Sequence, residues 1–124
     1  MTVEAFVFVV TTTQFDDSLR FYRDLLGLEL LEEWTEFGHG AVLSGGGHAR
    51  VELIELDVPA APLPRHAPFL GLQVDDVEDR HRRLLEAGAN VVSPLADRPW
   101  GGRGFGVLDP NGVSVNVYSA YDGD

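Results

Sequence analysis

Apolar positions along the chain alternate between dense runs and spaced rhythms, and each kind predicts an element. Phe6-Val7-Phe8-Val9-Val10 is an unbroken β-branched and aromatic run, which predicts a strand buried on both faces. A threonine triplet ends it. Phe15, Leu19, Tyr22 and Leu26 then recur at helical spacing, with Asp16 or Asp17 placed to cap the helix and Gly27 to stop it. Residues 28–34, 40–43 and 50–56 read as short strands, separated by residues 35–39 and by the turn Ser44-Gly45-Gly46-Gly47.

From Asp57 to Pro68 the chain holds four prolines, which neither a helix interior nor a central strand tolerates. This stretch reads as a connection, and after it the order repeats. Residues 69–74 predict a strand, Asp75 or Asp76 caps a helix running to Ala87, and Gly88 stops it. Strands follow over 90–93, 104–108 and 113–118, the last two joined by the hairpin turn Asp109-Pro110-Asn111-Gly112. The prediction is an α+β fold of two βαβββ modules in one domain: module one about 3–57, a linker about 58–68, and module two about 69–121. Equal spacings support the duplication, since Gly27 to Glu55 (55 − 27) and Gly88 to Asn116 (116 − 88) are both 28 positions.

Composition narrows the chemistry. Of 124 residues, 44% are hydrophobic and 23% charged, an ordinary globular balance. No apolar run approaches the roughly 20 residues a bilayer span needs, and no basic segment precedes Phe6, so neither a signal peptide nor an anchor is expected. Cysteine is absent, which excludes disulfides, thiolate metal sites and cysteine nucleophiles and fits a cytoplasmic location. Lysine is absent too, which excludes Schiff-base chemistry. The formal net charge of −11 argues against nucleic acid and anionic membrane as partners and favours a cation.

Two segments carry a resemblance: residues 17–28, Asp-Ser-Leu-Arg-Phe-Tyr-Arg-Asp-Leu-Leu-Gly-Leu, and residues 99–105, Pro-Trp-Gly-Gly-Arg-Gly-Phe, running into Asp109-Pro110-Asn111-Gly112. Over nearly its whole length the chain resembles the vicinal oxygen chelate superfamily of glyoxalases, bleomycin-resistance proteins and extradiol dioxygenases. That resemblance implies curved sheets forming a cleft, a homodimer that completes each cleft from two chains, and in the enzymes a divalent metal. The implied ligands are a His on the first strand of each module and a Glu or other polar residue on the last. Here the first falls at Val7 or Phe8 and the third at Phe69, none with a donor atom; the second falls at Glu55 and the fourth at Asn116. One carboxylate and one amide are too few for a divalent site, so no metal and no cofactor are expected. A relocated site built on His39, His48, His66 or His81 is the alternative, with His48 and Glu52 on one strand face. Gly-x-Ser-x-Gly, P-loop and dinucleotide fingerprints are missing, and Gly101-Gly102-Arg103-Gly104 reads as a loop over the cleft because it precedes a strand.

Period-two alternation puts Leu53 and Glu55 on one face of their strand, and Ser114, Asn116 and Tyr118 on one face of theirs, with Val113, Val115 and Val117 forming the core opposite. Phe69, Gly71 and Gln73 are expected toward the cleft. Trp34, Phe37, Trp100 and Phe105 lie in or beside connections, and Phe37 and Trp100 match aromatic positions that flank the antibiotic in bleomycin-resistance proteins. Gly102 is an insertion relative to that pattern, and both tryptophans are also candidates for a dimer interface. Arg103 is placed to pair with a ligand carboxylate or with Glu55. The expected function is metal-free binding of a small aromatic or cationic molecule by a cytoplasmic homodimer, such as antibiotic sequestration. The rival is a lyase, isomerase or dioxygenase-type enzyme using a relocated metal or Glu55 as general base, and a third reading is a scaffolding subunit.

Overall fold

A computed structural model describes residues 2–58, 63, 67–99 and 101–120. The chain divides into two compact units, Met1–Pro62 and Leu63–Asp124. The first contains β1 (Phe6–Thr12), a helix α1 that is α-helical over Phe15–Leu19 and π-helical over Arg20–Leu25, β2 (Leu30–Trp34), β3 (Gly40–Ser44) and β4 (Ala49–Glu55). The second contains β5 (Leu70–Gln73), α2 (Val77–Glu86), β6 (Asn90–Asp97), β7 (Arg103–Leu108) and β8 (Ser114–Tyr118). The sheets are four-stranded and mixed, ordered β1-β4-β3-β2 and β5-β8-β7-β6, with only the first two strands of each order parallel. This is the α+β, twice-repeated βαβββ arrangement that the periodicity predicts. No helix among the described residues is long and apolar enough to cross a membrane.

Each unit has its own core on one sheet face. In the first, Val10, Ala41, Leu43, Val51 and Leu53 pack with Phe15, Leu19, Tyr22 and Leu26 of the helical segment; in the second, Leu72, Phe105, Val107, Val115 and Val117 pack with Val77 and Leu84. The expectation for β1 is corrected. Val10 is buried, but Val7 and Val9 point to the opposite face and are 43% and 54% exposed. β1 is an edge strand of a sheet whose helix covers one side only, so a continuous apolar run is not evidence for two-sided burial.

Helix entry also differs. Gln14, not an aspartate, is the residue before the first helical turn; Asp16 and Asp17 lie inside it, where carboxylates favour the positive end of the helix dipole. Thr12 anchors this entry, its hydroxyl accepting from the Gln14 N–H and pairing with Ser18 Oγ at 3.0 Å. Asp76 does stand at the start of α2, but its carboxylate accepts from Arg80 Nε one turn on rather than from the helix end. Gly27 and Gly88 stop the helices as expected, with φ of 80° and 76° that only glycine adopts without strain.

The duplication is recorded in strand register. Gly40↔Ile54, Val42↔Glu52 and Ser44↔Arg50 recur as Gly104↔Tyr118, Gly106↔Asn116 and Leu108↔Ser114, a constant shift of 64 (104 − 40, 118 − 54). The residue equivalent to Asn116 is therefore Glu52 and not Glu55. The matching 28-residue spacings are a coincidence: module two gains one residue at a bulge between Ser93 and Ala96 and two in the loop from Ala96 to Gly104, compared with Glu32, Trp34 and Gly40. The helices differ by one residue in the other direction. After the buried pair Tyr22 and Leu84, the closing bond runs from Leu28 N–H to Tyr22 O but from Ala89 N–H to Leu84 O. The π-helical turn of the first module holds the extra residue.

Candidate functional site

In both units the sheet face away from the helix is open, and its residues fall in rungs across all four strands. The first unit presents Val9-Glu52-Val42-Glu32 and, one rung on, Thr11-Ile54-Gly40-Trp34. The second presents Gly71-Asn116-Gly106-Ser93 and then Gln73-Tyr118-Gly104-Ala96. Glycines recur in rung positions where strands ordinarily carry β-branched residues, which marks surfaces that another group approaches closely.

Two glycines already have such a group. The Trp34 indole lies where a Cβ on Gly40 would stand. At the equivalent Gly104, the guanidinium of Arg98 takes that space, with Nε and Nη2 each 2.9 Å from the Cβ position. Arg98 is held there by Asn116, whose Oδ1 accepts from Nη2 at 3.0 Å. One unit thus lays an aromatic plate on bare backbone, and the other lays a cationic plate at the same register.

Tyr118 and Asn116 sit on the open face as the alternation requires, half-buried. Phe69 is 63% exposed just before β5. Trp34 is half-buried at the end of β2. Phe37 is fully exposed at the tip of the β2–β3 hairpin and has φ of 58°. Trp100 lies outside the described residues.

Three placements correct the sequence reading. Glu55 does share a face with Leu53, but Leu53 is fully buried, so that face is the helix side; Glu55 emerges exposed at the end of β4 beside buried Thr12. Glu52, half-buried between Val9 and Val42, is the carboxylate on the open face. Phe105 is fully buried with its ring 5.0 Å from His81 of α2, so it packs in the core rather than on the open face. Arg103 is occupied by Glu78 at 3.1 Å and Asp97 at 2.9 Å. Alternation alone cannot say which parity faces the helix; the buried Val51-Leu53 pair against half-buried Glu52 and Ile54 supplies it. Arg98 follows β6 in a connection, where no strand alternation places its side chain.

On the first strands, where the resemblance puts a His, Val7, Phe8 and Phe69 have no donor atom, and on the open face of the last strands Glu52 stands opposite Val9 and Asn116 opposite Gly71. Valine and glycine side chains have no donor atom, and one carboxylate with one amide does not fit a divalent ion that takes three or more protein ligands. The histidines are dispersed: His39 stacks on Phe15 and bonds Glu33 at 2.9 Å, His81 meets Phe105, His48 is exposed before β4, and His66 lies outside the described residues. Among the described residues no three His, Asp or Glu side chains are grouped to hold an ion.

Solved structures repeat this fold. TioX from Micromonospora sp. ML1 is 27% identical with a TM-score of 0.74, covering 93% of this chain and 97% of that one. TnmS3, an antibiotic binding protein from Streptomyces sp. CB03234, is 25% identical with a TM-score of 0.75, covering 95% and 96%. A glyoxalase/bleomycin resistance protein from Streptomyces sp. CB03234 is 26% identical with a TM-score of 0.71, covering 91% and 97%. No curated protein matches the chain. A sequence model of the glyoxalase/bleomycin resistance protein/dioxygenase superfamily matches residues 6–117, and together with the repeated βαβββ register this places the chain in that superfamily.

Proposed function

We propose that this protein binds a small planar aromatic molecule without a metal, as an antibiotic-binding protein acting as a cytoplasmic homodimer. The observation that carries the reading is the content of the open-face rungs. Where the resemblance puts the first-strand metal ligands this chain has Val7 or Phe8 and Phe69, the open-face rungs offer only Glu52 beside Val9 and Asn116 beside Gly71, and Trp34 lays an indole face on the bare backbone of Gly40. Aromatic faces stack on planar rings for about 0.5–1.5 kcal/mol beyond the area they bury. The similarity to TnmS3, an antibiotic binding protein, supports an antibiotic as the small molecule. The dimer is supported by apolar side chains left in solvent by one chain, Phe6 at 73%, Phe69 at 63% and Phe37 fully exposed. Absence of cysteine supports the reducing compartment.

The test is equilibrium dialysis of anthraquinone-2-carboxamide, a neutral planar tricycle, against protein with EDTA and against protein supplied with Mn, Ni or Zn. Elemental mass spectrometry of the same samples reports bound metal. Equal binding in all preparations, weakened in Trp34→Ala, is the expected result. Binding that appears only with stoichiometric metal overturns the metal-free reading, and turnover of a bound probe overturns the binder in favour of an enzyme.

A further inference from the structure

Four arginines of this chain, which has 20 acidic residues, are in carboxylate pairs, and Arg98 is not among them. Arg23 pairs with Asp24, Arg80 with Asp76, Arg82 with Asp79 and Glu86, and Arg103 with Glu78 and Asp97. Arg98 is half-buried and, among the described residues, has no carboxylate; its side-chain partner is the neutral amide oxygen of Asn116. A guanidinium has five N–H donors, and Asn116 accepts from one nitrogen only. The remaining donors are fixed in orientation, because the plate rests on Gly104 beside the Tyr118 Cβ and the Arg98 backbone is closed by bonds from its N–H to Gly102 O and to its O from Gly101 N–H.

Each feature of this arrangement is specific to the plate. A Cβ at residue 104 would collide with Nε and Nη2, and an aspartate at 116 would neutralise the charge that an asparagine only steers. Next to Asn116 the exposed Gly71 carries no side chain, whereas Gly106 is buried under Ser93, whose Cβ lies 3.1 Å from a Cβ position there. A flat group can therefore reach the backbone at Gly71 with its edge toward the guanidinium.

We propose that Arg98 is a specificity-determining residue of the open face of the second unit, and that it selects an acidic planar ligand, one whose ring carries a conjugated oxyanion such as an aromatic carboxylate. This rests on the aromatic-binding reading and adds the ligand's charge to it. The long-range field of the −11 chain favours cations, so an anion is admitted only by a local, oriented donor set, and Arg98 is that set. Fork-shaped pairing of guanidinium with carboxylate is the geometry that distinguishes arginine from a diffuse positive charge.

The experiment compares anthraquinone-2-carboxylate with anthraquinone-2-carboxamide by equilibrium dialysis at fixed ionic strength on the full chain. Wild type is expected to prefer the carboxylate by about tenfold or more, the scale of a charge-assisted hydrogen bond. Arg98→Gln and Asn116→Asp should each bring that ratio to about one while amide binding persists, the second by pairing the guanidinium internally. Thermal melts report whether each variant folds, and if Arg98→Gln does not, Asn116→Asp decides. Equal affinity for acid and amide in wild type, or a preference that survives both variants, overturns the role of Arg98 and leaves aromatic binding standing. If neither probe binds, the aromatic-binding reading fails and the Arg98 assignment fails with it.

Discussion

Trp34 and Gly40 form a single unit: the indole lies over the glycine so closely that a Cβ there would meet Cζ2, Cε2 and Cη2, the last at 2.9 Å. The pair is cross-strand, Trp34 ending β2 and Gly40 opening β3, so local register fixes the contact. Gly40→Ala is expected to displace the indole and destabilise the fold by about 1–3 kcal/mol, the range for overpacking a filled site. A melt measures the loss, and in a Trp100→Phe background the remaining tryptophan emission should shift red as the ring moves into water.

The two carboxylates of β4 should behave oppositely. Glu52 lies on the open face between Val9 and Val42, whereas Glu55 stands exposed at the strand end on the helix side. For 2-(aminomethyl)anthraquinone, a cationic probe, Glu52→Gln should lower affinity two- to fivefold, the scale of a partly screened ion pair at about 0.5–1 kcal/mol. Glu55→Gln should leave it unchanged. Calorimetric titration of both variants distinguishes them, and a loss confined to Glu55→Gln would contradict the register assignment.

What could be seen in the sequence was whatever depends on local chemistry. Gly27 and Gly88, the helical rhythm of Phe15, Leu19, Tyr22 and Leu26, and the Asp109-Pro110-Asn111-Gly112 turn all act where the sequence puts them, Asp109 accepting from the Asn111 and Val113 N–H groups. What escaped depends on partners distant in sequence. The one-sided burial of β1 is decided by a helix that covers one sheet face only, and the mismatch of Glu55 with Asn116 by the Ser93–Ala96 bulge and a longer β6–β7 loop. Residue counts cannot reveal a bulge, because the extra residue enters the count without a partner across the ladder.

The π-helical turn over Arg20–Leu25 gives a sharper test of the duplication. Deleting exposed Asp24 should convert the turn to regular helix with Tyr22 still buried, holding stability within about 1 kcal/mol of the parent. Deleting exposed Arg82 from α2, which has no such turn, should rotate Leu84 out of its fully buried place. That loss is expected at about 2–5 kcal/mol, the cost of emptying a leucine site. Denaturant melts of the two deletions side by side carry the comparison.

Phe105 separates a core aromatic from a ligand aromatic. Its ring is fully buried against His81. Phe105→Ala should destabilise the protein by about 3–5 kcal/mol, and Phe105→Leu by less, since it keeps most of the volume. Anthraquinone-2-carboxamide affinity should be the same in folded Phe105→Leu as in wild type, whereas Trp34→Ala should reduce it; a drop in the leucine variant would return Phe105 to the ligand site.

Phe37 combines full exposure with a left-handed backbone, φ of 58°, followed by Gly38 at 95°. A side chain other than glycine in that region costs about 1–2 kcal/mol, and this one recovers nothing by burial within its own chain. Glycine would be the stable choice for the hairpin alone, so the ring is kept for a contact outside the chain, which the proposed dimer or its ligand would provide. Phe37→Gly is therefore expected to raise the stability of the isolated chain by up to about 1 kcal/mol, after the added chain entropy of glycine offsets part of the relief. The same variant should weaken self-association in sedimentation equilibrium or lower anthraquinone-2-carboxamide affinity. A stabilised variant with unchanged assembly and unchanged binding would show that the exposed ring serves neither contact.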